Sequence, residues 1–521
     1  MSAIAAVRQR HAGGVALAAV CAILFLTFLD NTIVSVALAD IQTSLSTSVS
    51  GLQWIVDGYM LVFAALMLTG GTLGDLFGRK KVMLAGVAVF CAGSVVAAVA
   101  PSTNILIAGR VVMGLGAAAS EPGTLSLIRH IYPERRERAR ALGVWAAVSG
   151  LALALGPIIG GVLTAGFGWR SIFWFGLGFG ALSLGVAAVT LTESSDPQGR
   201  KLDVPGLVTG ACAITAVTFA VIGGENRGYR TWWIDGLFVL GAVLVVAFVV
   251  IERRSPDPVL RLEYFRNPTF TAANVVAFAV NLSVFSVFFF TALYLQLITD
   301  FSGYQIALVF TSLAVAMIVA GPIAGRWTAR VGPRVPMVLG CLLAGGGLFL
   351  VDWKLTATTG VAALSWPLAI AGLGFGIALV TVTQAVLSIV RPEQSGMAAS
   401  TVNTSRELGG VFGVAVLGAV VNAQLTSGLD EKLVKLHIPL VYRNVVIQFV
   451  TTGGNITSAE NSPGVKGHEK LIARVLLAAE GSAGHGVHLA LEIAGGIVLA
   501  AAFVAAFAAR HRVGRVDEVE L

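Results

Sequence analysis

Apolar residues in this chain come in runs of about 20, the length a helix needs to cross the hydrocarbon core of a bilayer. The runs fall at 15–38, 53–71, 82–101, 104–127, 141–163, 171–192, 204–223, 234–251, 269–298, 305–324, 335–352, 364–388, 398–422 and 486–509. In lipid a backbone must satisfy its own hydrogen bonds, and runs of this length do so as helices. The pattern predicts an all-α membrane protein of fourteen spans. The first run follows Arg8 and Arg10 like a secretory signal, but it is too long for one and contains Asp30, so it reads as a retained helix.

Charge orients the spans. With the N-terminus inside, the loops 75–81, 129–140, 193–203, 252–268, 325–334 and 389–397 and the tail from 510 are inside as well. These segments hold most of the 35 Lys and Arg residues. That asymmetry follows the positive-inside rule and predicts a multi-pass protein of the plasma (inner) membrane with both termini cytoplasmic. The long connection 423–485 falls outside; within it 441–450 reads either as a strand or interfacial piece or as part of a solvated connector.

Composition narrows the class. Of 521 residues, 56% are hydrophobic and 12% charged, about half the charge of a soluble domain. The net charge of +7 is spread loop by loop and implies no nucleic acid. Cys21, Cys91, Cys212 and Cys341 lie in apolar runs and read as small buried hydrophobes. The histidines lack ligand spacing, and no Walker loop or Ser/His/Asp set occurs, so no metal, cofactor or enzyme activity is expected.

Two loops repeat. Gly71-Thr-Leu-Gly-Asp75-Leu-Phe-Gly78-Arg79-Lys-Lys81 follows the second run, and Gly325-Arg-Trp-Thr-Ala-Arg330-Val-Gly-Pro-Arg334 follows the tenth. Related loops in corresponding places predict two homologous halves, as in transporters built from repeats. The expected division is 1–195 as an N-terminal six-helix bundle and 196–256 as a two-helix insertion. A C-terminal six-helix bundle would then occupy 257–521, with the extracytoplasmic loop 423–485 and a cytoplasmic tail.

The fifth run holds Gly143, Ala152, Gly156, Pro157, Gly160 and Gly161. In a soluble helix each Gly costs about 1 kcal/mol against Ala and Pro about 3. In lipid, small residues let helices touch backbone to backbone, and neighbours re-satisfy what a proline frees. The spacing resembles the antiporter signature of the major facilitator superfamily, with Ala152 in place of Gly. Leu29-Asp30-Asn31-Thr32-Ile33-Val34-Ser35-Val36-Ala37-Leu38 resembles the first-helix signature of that superfamily's 14-helix drug–proton antiporter branch, with Ser35 and Ala39 where Asn and Pro are usual. The loop ending Gly78-Arg79-Lys80-Lys81 is similar to the superfamily's helix 2–3 signature, with Leu76 for Arg. Arg110-Val-Val-Met113-Gly114-Leu-Gly116 is similar to its arginine signature, with Met113 for Gln. Four such matches fall in the right order and register between residues 29 and 161, and the resemblance extends over essentially the whole chain. The resemblance implies the major facilitator fold, two six-helix bundles plus two extra helices between them.

Ionisable groups at mid-membrane cost about 2.5–3.5 kcal/mol each on insertion scales, so each demands a reason. Asp30, in the outer half of the first helix, is the acid the resemblance implies for proton or cationic-substrate binding. Arg110, at similar depth in the fourth, would tune a nearby carboxylate and join in proton coupling. Both have a structural alternative: a permanent carboxylate–arginine pair, or an arginine bound to backbone carbonyls. Asp57, between Trp54 and Tyr59 as interfacial anchors, reads either as lining an outer vestibule or as facing headgroups. Glu121 reads either as a substrate-preference acid or as a cap for groups freed by Pro122. Asn274, Asn281, Tyr294, Gln296 and Gln384 are candidate substrate contacts, against plain helix-to-helix hydrogen bonding. Arg406-Glu407 reads as a self-compensating pair, and Glu492 has no reading. By resemblance Gly71, Asp75, Gly78 and Arg79 form a conformational latch, and Gly156, Pro157, Gly160 and Gly161 belong to the same switching class.

The function these readings support is proton-coupled export of amphipathic, cationic or neutral small molecules by a monomer in membrane lipid, powered by the proton motive force. The alternatives are a proton-coupled importer, a lipid or natural-product exporter of the same fold, and a non-transporting membrane sensor.

Overall fold

The computed structural model describes residues 3–194, 203–227, 231–256, 258, 260–299, 301–390, 395–436, 438, 443 and 469–509. Fourteen helices in it are long and apolar enough to cross a membrane. They are α1 (Ala3–Ile33), α2 (Val49–Phe77), α3 (Arg79–Ala98), α4 (Thr103–Ile131), α5 (Arg135–Phe167), α6 (Ser171–Thr190), α7 (Val204–Arg227) and α8 (Trp232–Arg254). Then follow α9 (Pro268–Ser286), α10 (Gly303–Val331), α11 (Arg334–Lys354), α12 (Val361–Ile389), α13 (Ser395–Lys435) and α14 (Glu469–Ala508). No strand occurs among the described residues. The expected all-helical membrane architecture is met.

Local chemistry sets the helix ends. Ser48 caps α2 by accepting from Gly51 N, Asn267 caps α9 ahead of Pro268, and Ser302 with Gln305 forms a capping box on α10. The two repeated loops turn alike: Gly78 after α2 has φ 108° and Gly332 after α10 has φ 82°, a region open to glycine but strained for other residues.

Packing repeats at an interval of eight helices. In the first set α1 packs on α4, α5 and α6, α2 on α4, and α3 on α4 and α6; among α9–α14 the corresponding pairs all recur. The α5–α10 and α2–α13 contacts join the two sets, and α7 packs on both α2 and α13 with α8 outside it. Small residues permit the closest approaches. A Cβ on Gly93 of α3 would lie 2.6 Å from Met113 N of α4, and one on Gly340 of α11 would lie 2.9 Å from Ala378 N of α12. The outward faces stay apolar, as Val243 and Val246 of α8 and Phe503 and Phe507 of α14 illustrate, which suits lipid and not water.

Three features depart from the sequence pattern. α1 does not run straight through its span: a 3-10 turn at Val34–Ala37 breaks it before a short helix at Leu38–Leu45. α9 likewise passes through a π turn at Val287–Thr291 into Ala292–Leu297, and the two irregular turns pack against each other. Finally, the connection expected at 423–485 is shorter, because α13 stays helical to Lys435 and α14 starts at Glu469. These extensions bury Leu429, Leu433, Ala478 and Ala479 in a small core of their own. Apart from Arg443, the 441–450 piece lies outside the described residues, as does the tail from 510.

Candidate functional site

α1 presents Asp30 and Asn31 on adjacent faces. Asp30 Oδ2 accepts from Arg110 Nη1 of α4, and Arg110 has no exposed surface. Its Nε donates to Ile55 O at 2.9 Å, and its guanidinium lies 4.5 Å from the Tyr59 ring centroid. Tyr59 is not an interfacial anchor. It is fully buried, and its hydroxyl donates to Thr27 O at 2.9 Å, so the ring serves as a platform for the arginine.

Asn31, one residue on, faces the other helix set. Its Nδ2 donates to Glu407 of α13 at 3.3 and 3.4 Å. A second bridge runs the opposite way, from Asn403 Nδ2 of α13 to Glu121 Oε1 of α4 at 3.1 Å. Arg406 does not close on its neighbour Glu407. Adjacent helix positions point about 100° apart, and Arg406 instead donates to Leu379 O at 2.9 Å, Thr383 Oγ1 at 2.6 Å and Asn403 Oδ1 at 3.4 Å. The local pair read from the sequence is thus replaced by two bridges between helix sets.

The small residues of α5 hold this arrangement close. A Cβ on Gly156 would overlap Thr32 Oγ1, and one on Gly160 would overlap Ile33 O, so α5 seats α1 directly beside Asp30. Gly161 faces elsewhere and meets Gly303 O of α10 with no room for a side chain. That contact lies toward the expected outer face, whereas Gly150, three turns back, meets nothing within 4 Å. Pro157 is buried within the unbroken helix.

Other candidates fall elsewhere. Asp57 is fully buried, neither in a vestibule nor at headgroups, and among the described residues its carboxylate oxygens have no partner; the same holds for the amide of Gln53 one turn away, which abuts Gly418 of α13. Gln296 bridges the helix sets: it donates to Val36 O at 2.5 Å and receives Ala39 N at 3.2 Å, the groups the 3-10 turn frees. Asn274 donates to Phe270 O at 2.9 Å and receives Ser405 Oγ at 2.9 Å, Asn281 donates to Ala277 O at 3.0 Å, and Tyr294 stacks edge-on against His488. Gln384 faces Gly325. These residues do not share the Asp30 cluster.

At the expected inner face Gly71 touches Pro122, and Gly78 closes the turn. Arg79 N donates to Ser194 O at 2.9 Å, and Glu193 accepts from Lys80 N at 3.0 Å and Lys81 N at 3.2 Å. Sequence reading passed over Glu193, a carboxylate set on the N-terminus of α3, where the helix dipole favours it. The Asp75 side chain lies outside the described residues. Glu492 faces outward from α14. Among the described residues no cluster suited to a metal ion is present.

A family model described as Major Facilitator Superfamily matches residues 20–414. The chain belongs to the major facilitator superfamily. It is accordingly a multi-pass membrane transporter and not an enzyme. Relatives within the superfamily include the multidrug resistance protein Stp of Mycobacterium tuberculosis, 33% identical over 83% of this chain and 80% of that one. The methylenomycin A resistance protein of Streptomyces coelicolor is 34% identical, over 81% of this chain and 88% of its own. The tetracenomycin C resistance and export protein of Streptomyces glaucescens is 30% identical, over 92% and 88%. Among solved structures, a bacterial homologue of the human lysosomal transporter Spinster, inward-facing and unoccupied, superposes with a TM-score of 0.59 at 17% identity, covering 95% of this chain and 97% of that one. At that identity the likeness concerns the fold alone.

Proposed function

We propose that this superfamily member is a proton-coupled exporter of amphipathic small molecules, an antiporter that works by alternating access of two six-helix halves, α1–α6 and α9–α14, with α7 and α8 as the insertion. The observation that carries the reading is the buried Asp30–Arg110 pair set one residue from a bridge to the opposite half. A carboxylate that gives up its arginine when it takes a proton changes the constraint on α1. Asn31 then feels that change where it holds Glu407. Proton binding and half-to-half contact thus act on one two-state element, which is what coupling requires.

In the cycle, a proton from outside reaches Asp30 and Arg110 relaxes onto Ile55 O and Tyr59. The halves rock, substrate leaves outward, and the proton leaves inward. Gly161 against Gly303 and Gln296 against the α1 turn would close the outer side, while the open flank at Gly150 fits an inward-facing state. The Gly71–Arg79 loop, docked on Glu193, would latch the other extreme. The relatives' names, which print resistance to methylenomycin A and resistance to and export of tetracenomycin C, favour antibiotics as substrates.

Everted vesicles test direction. Ethidium and tetracenomycin C are offered to vesicles with an acid lumen; accumulation that collapses with the gradient is the expected result. Accumulation driven only by an alkaline lumen would mean import with protons and would end the exporter reading.

A further inference from the structure

α2 and α13 form a second seam between the helix sets, and the outer end of that seam closes at a cost. Gln53 of α2 lies so near Gly418 of α13 that a Cβ there would fall 1.7 Å from Gln53 Nε2. Gln53 and Asp57, one turn apart, are both 0% exposed, and among the described residues neither the amide nor the carboxylate has a hydrogen-bond partner. Asn422, one turn beyond Gly418 on α13, likewise leaves its Oδ1 without one. Buried polar atoms without partners are rare and costly. Parting α2 from α13 would admit water to them, so hydration at this end pulls toward the open form.

α7 supplies the opposing pull. It packs on both α2 and α13, and so touches one helix of each half. Trp54, expected to sit as an interfacial anchor, sets its ring 4.9 Å from that of Phe219 of α7, tilted by 54°. Trp54 follows Gln53 directly, so this contact lies at the level of the unpartnered amide, toward the expected outer face. Aromatic pairs of this geometry attract beyond the area they cover, and association of helices in lipid depends on such packing. Halves that rock apart at the outer side carry α2 away from α13, and α7 cannot follow both. Opening therefore breaks its packing on one of them.

We propose that α7 is a clamp across the α2–α13 seam, whose packing on both halves holds the outer side shut against the hydration of Gln53, Asp57 and Asn422. The insertion is then a regulator of the cycle and not a spacer, because it sets how often the outer side opens. The opening itself rests on the alternating-access reading.

Spin labels read the opening without transport. In a background of Cys21→Ala, Cys91→Ala, Cys212→Ala and Cys341→Ala, nitroxides are placed at Ser44 and Thr426, exposed positions near the outer ends of α2 and α13, and distances are measured in nanodiscs. Phe219→Leu and Trp54→Leu should each raise the ratio of long to short distance about 3- to 10-fold, the range such an aromatic pair spans. The double variant should add little to either, since both singles remove one contact. Val246→Ala, on the lipid-facing side of α8, should leave the ratio as in wild type. Phe219 is 45% exposed, so its variant should fold even if Trp54→Leu does not. A label at Thr215, exposed on α7, gives distances to Ser44 and Thr426, one of which must lengthen in the open form. A wild-type ratio in folded Phe219→Leu, a shift toward the short distance, or an open form with both Thr215 distances unchanged would each overturn the clamp. Any of these in protein that still transports with the pH gradient leaves the exporter reading standing. The expected shift in protein whose vesicles show no gradient-driven transport would uphold the clamp and defeat the exporter reading alone.

Discussion

Asp30→Asn is expected to lower substrate flux driven by a pH gradient by about 100-fold or more, while exchange of substrate down its own gradient survives. Asparagine is close to the shape of a protonated aspartic acid and can still accept from Arg110 Nη1, the partner of Asp30 Oδ2. Packing around the 6% exposed side chain should therefore hold; Arg110 loses its counter-charge but keeps Ile55 O and the Tyr59 ring, so the variant should fold at some cost in stability. What it loses is the ability to take up and release a proton, so the halves move without counting protons. Removing the partner is a different lesion. Arg110→Ala leaves a buried carboxylate uncompensated, which typically costs about 3–5 kcal/mol, so it tests stability more than coupling. Vesicle flux at several imposed gradients distinguishes the cases: the asparagine variant should show a rate nearly independent of the gradient. A gradient response like that of wild type would remove Asp30 from the coupling role.

Gly161→Leu is expected to cut transport by about tenfold or more without unfolding the protein. The Gly161 Cβ position overlaps Gly303 O and approaches Ala307 Cβ at 2.9 Å, so any side chain must push α10 away from α5. Overpacking of this kind costs about 1–3 kcal/mol, and here the cost falls on one conformation, the outer-closed one. A penalty of about 1.4 kcal/mol already shifts a two-state balance tenfold toward the open form. A cysteine at Val34, 1% exposed on the broken turn of α1, should then react faster with an impermeant maleimide applied from outside. Gly178→Leu, on the exposed face of α6, is the control: nothing lies within 4 Å of its Cβ position, and transport should stay within about twofold of wild type. Wild-type transport by Gly161→Leu would mean that the contact does not gate the cycle.

Span count and the helical class were legible because hydrocarbon thickness and backbone satisfaction impose them on any sequence. Asp30 and Arg110 were legible for a related reason: a charge in an apolar run is costly and therefore conspicuous. The sequence could not reveal partners. Asn31 lies 376 residues from Glu407, and an amide in a span carries no insertion penalty large enough to mark it. Arg406-Glu407 misled because adjacency in sequence suggests pairing, whereas helix geometry turns neighbours apart. Tyr59 was misread because a tyrosine near a span's end suits a headgroup as well as a buried guanidinium. The broken turns of α1 and α9 left no proline or glycine to announce them. Glu193, next to a loop of basic residues, looked like an ordinary solvated acid until the N-terminus of α3 was seen under it.

The central claim is that protons and substrate move in opposite directions through one protein, and proton movement itself tests it most directly. Purified protein is reconstituted with pyranine in the lumen, no pH gradient is imposed, and vesicles loaded with a substrate accumulated in the everted-vesicle assay are diluted into substrate-free buffer. Antiport predicts that the lumen acidifies as substrate leaves, and that Asp30→Asn abolishes the signal while substrate still exits. A lumen that turns alkaline, or one whose pH stays flat while wild-type protein releases substrate, would contradict the account.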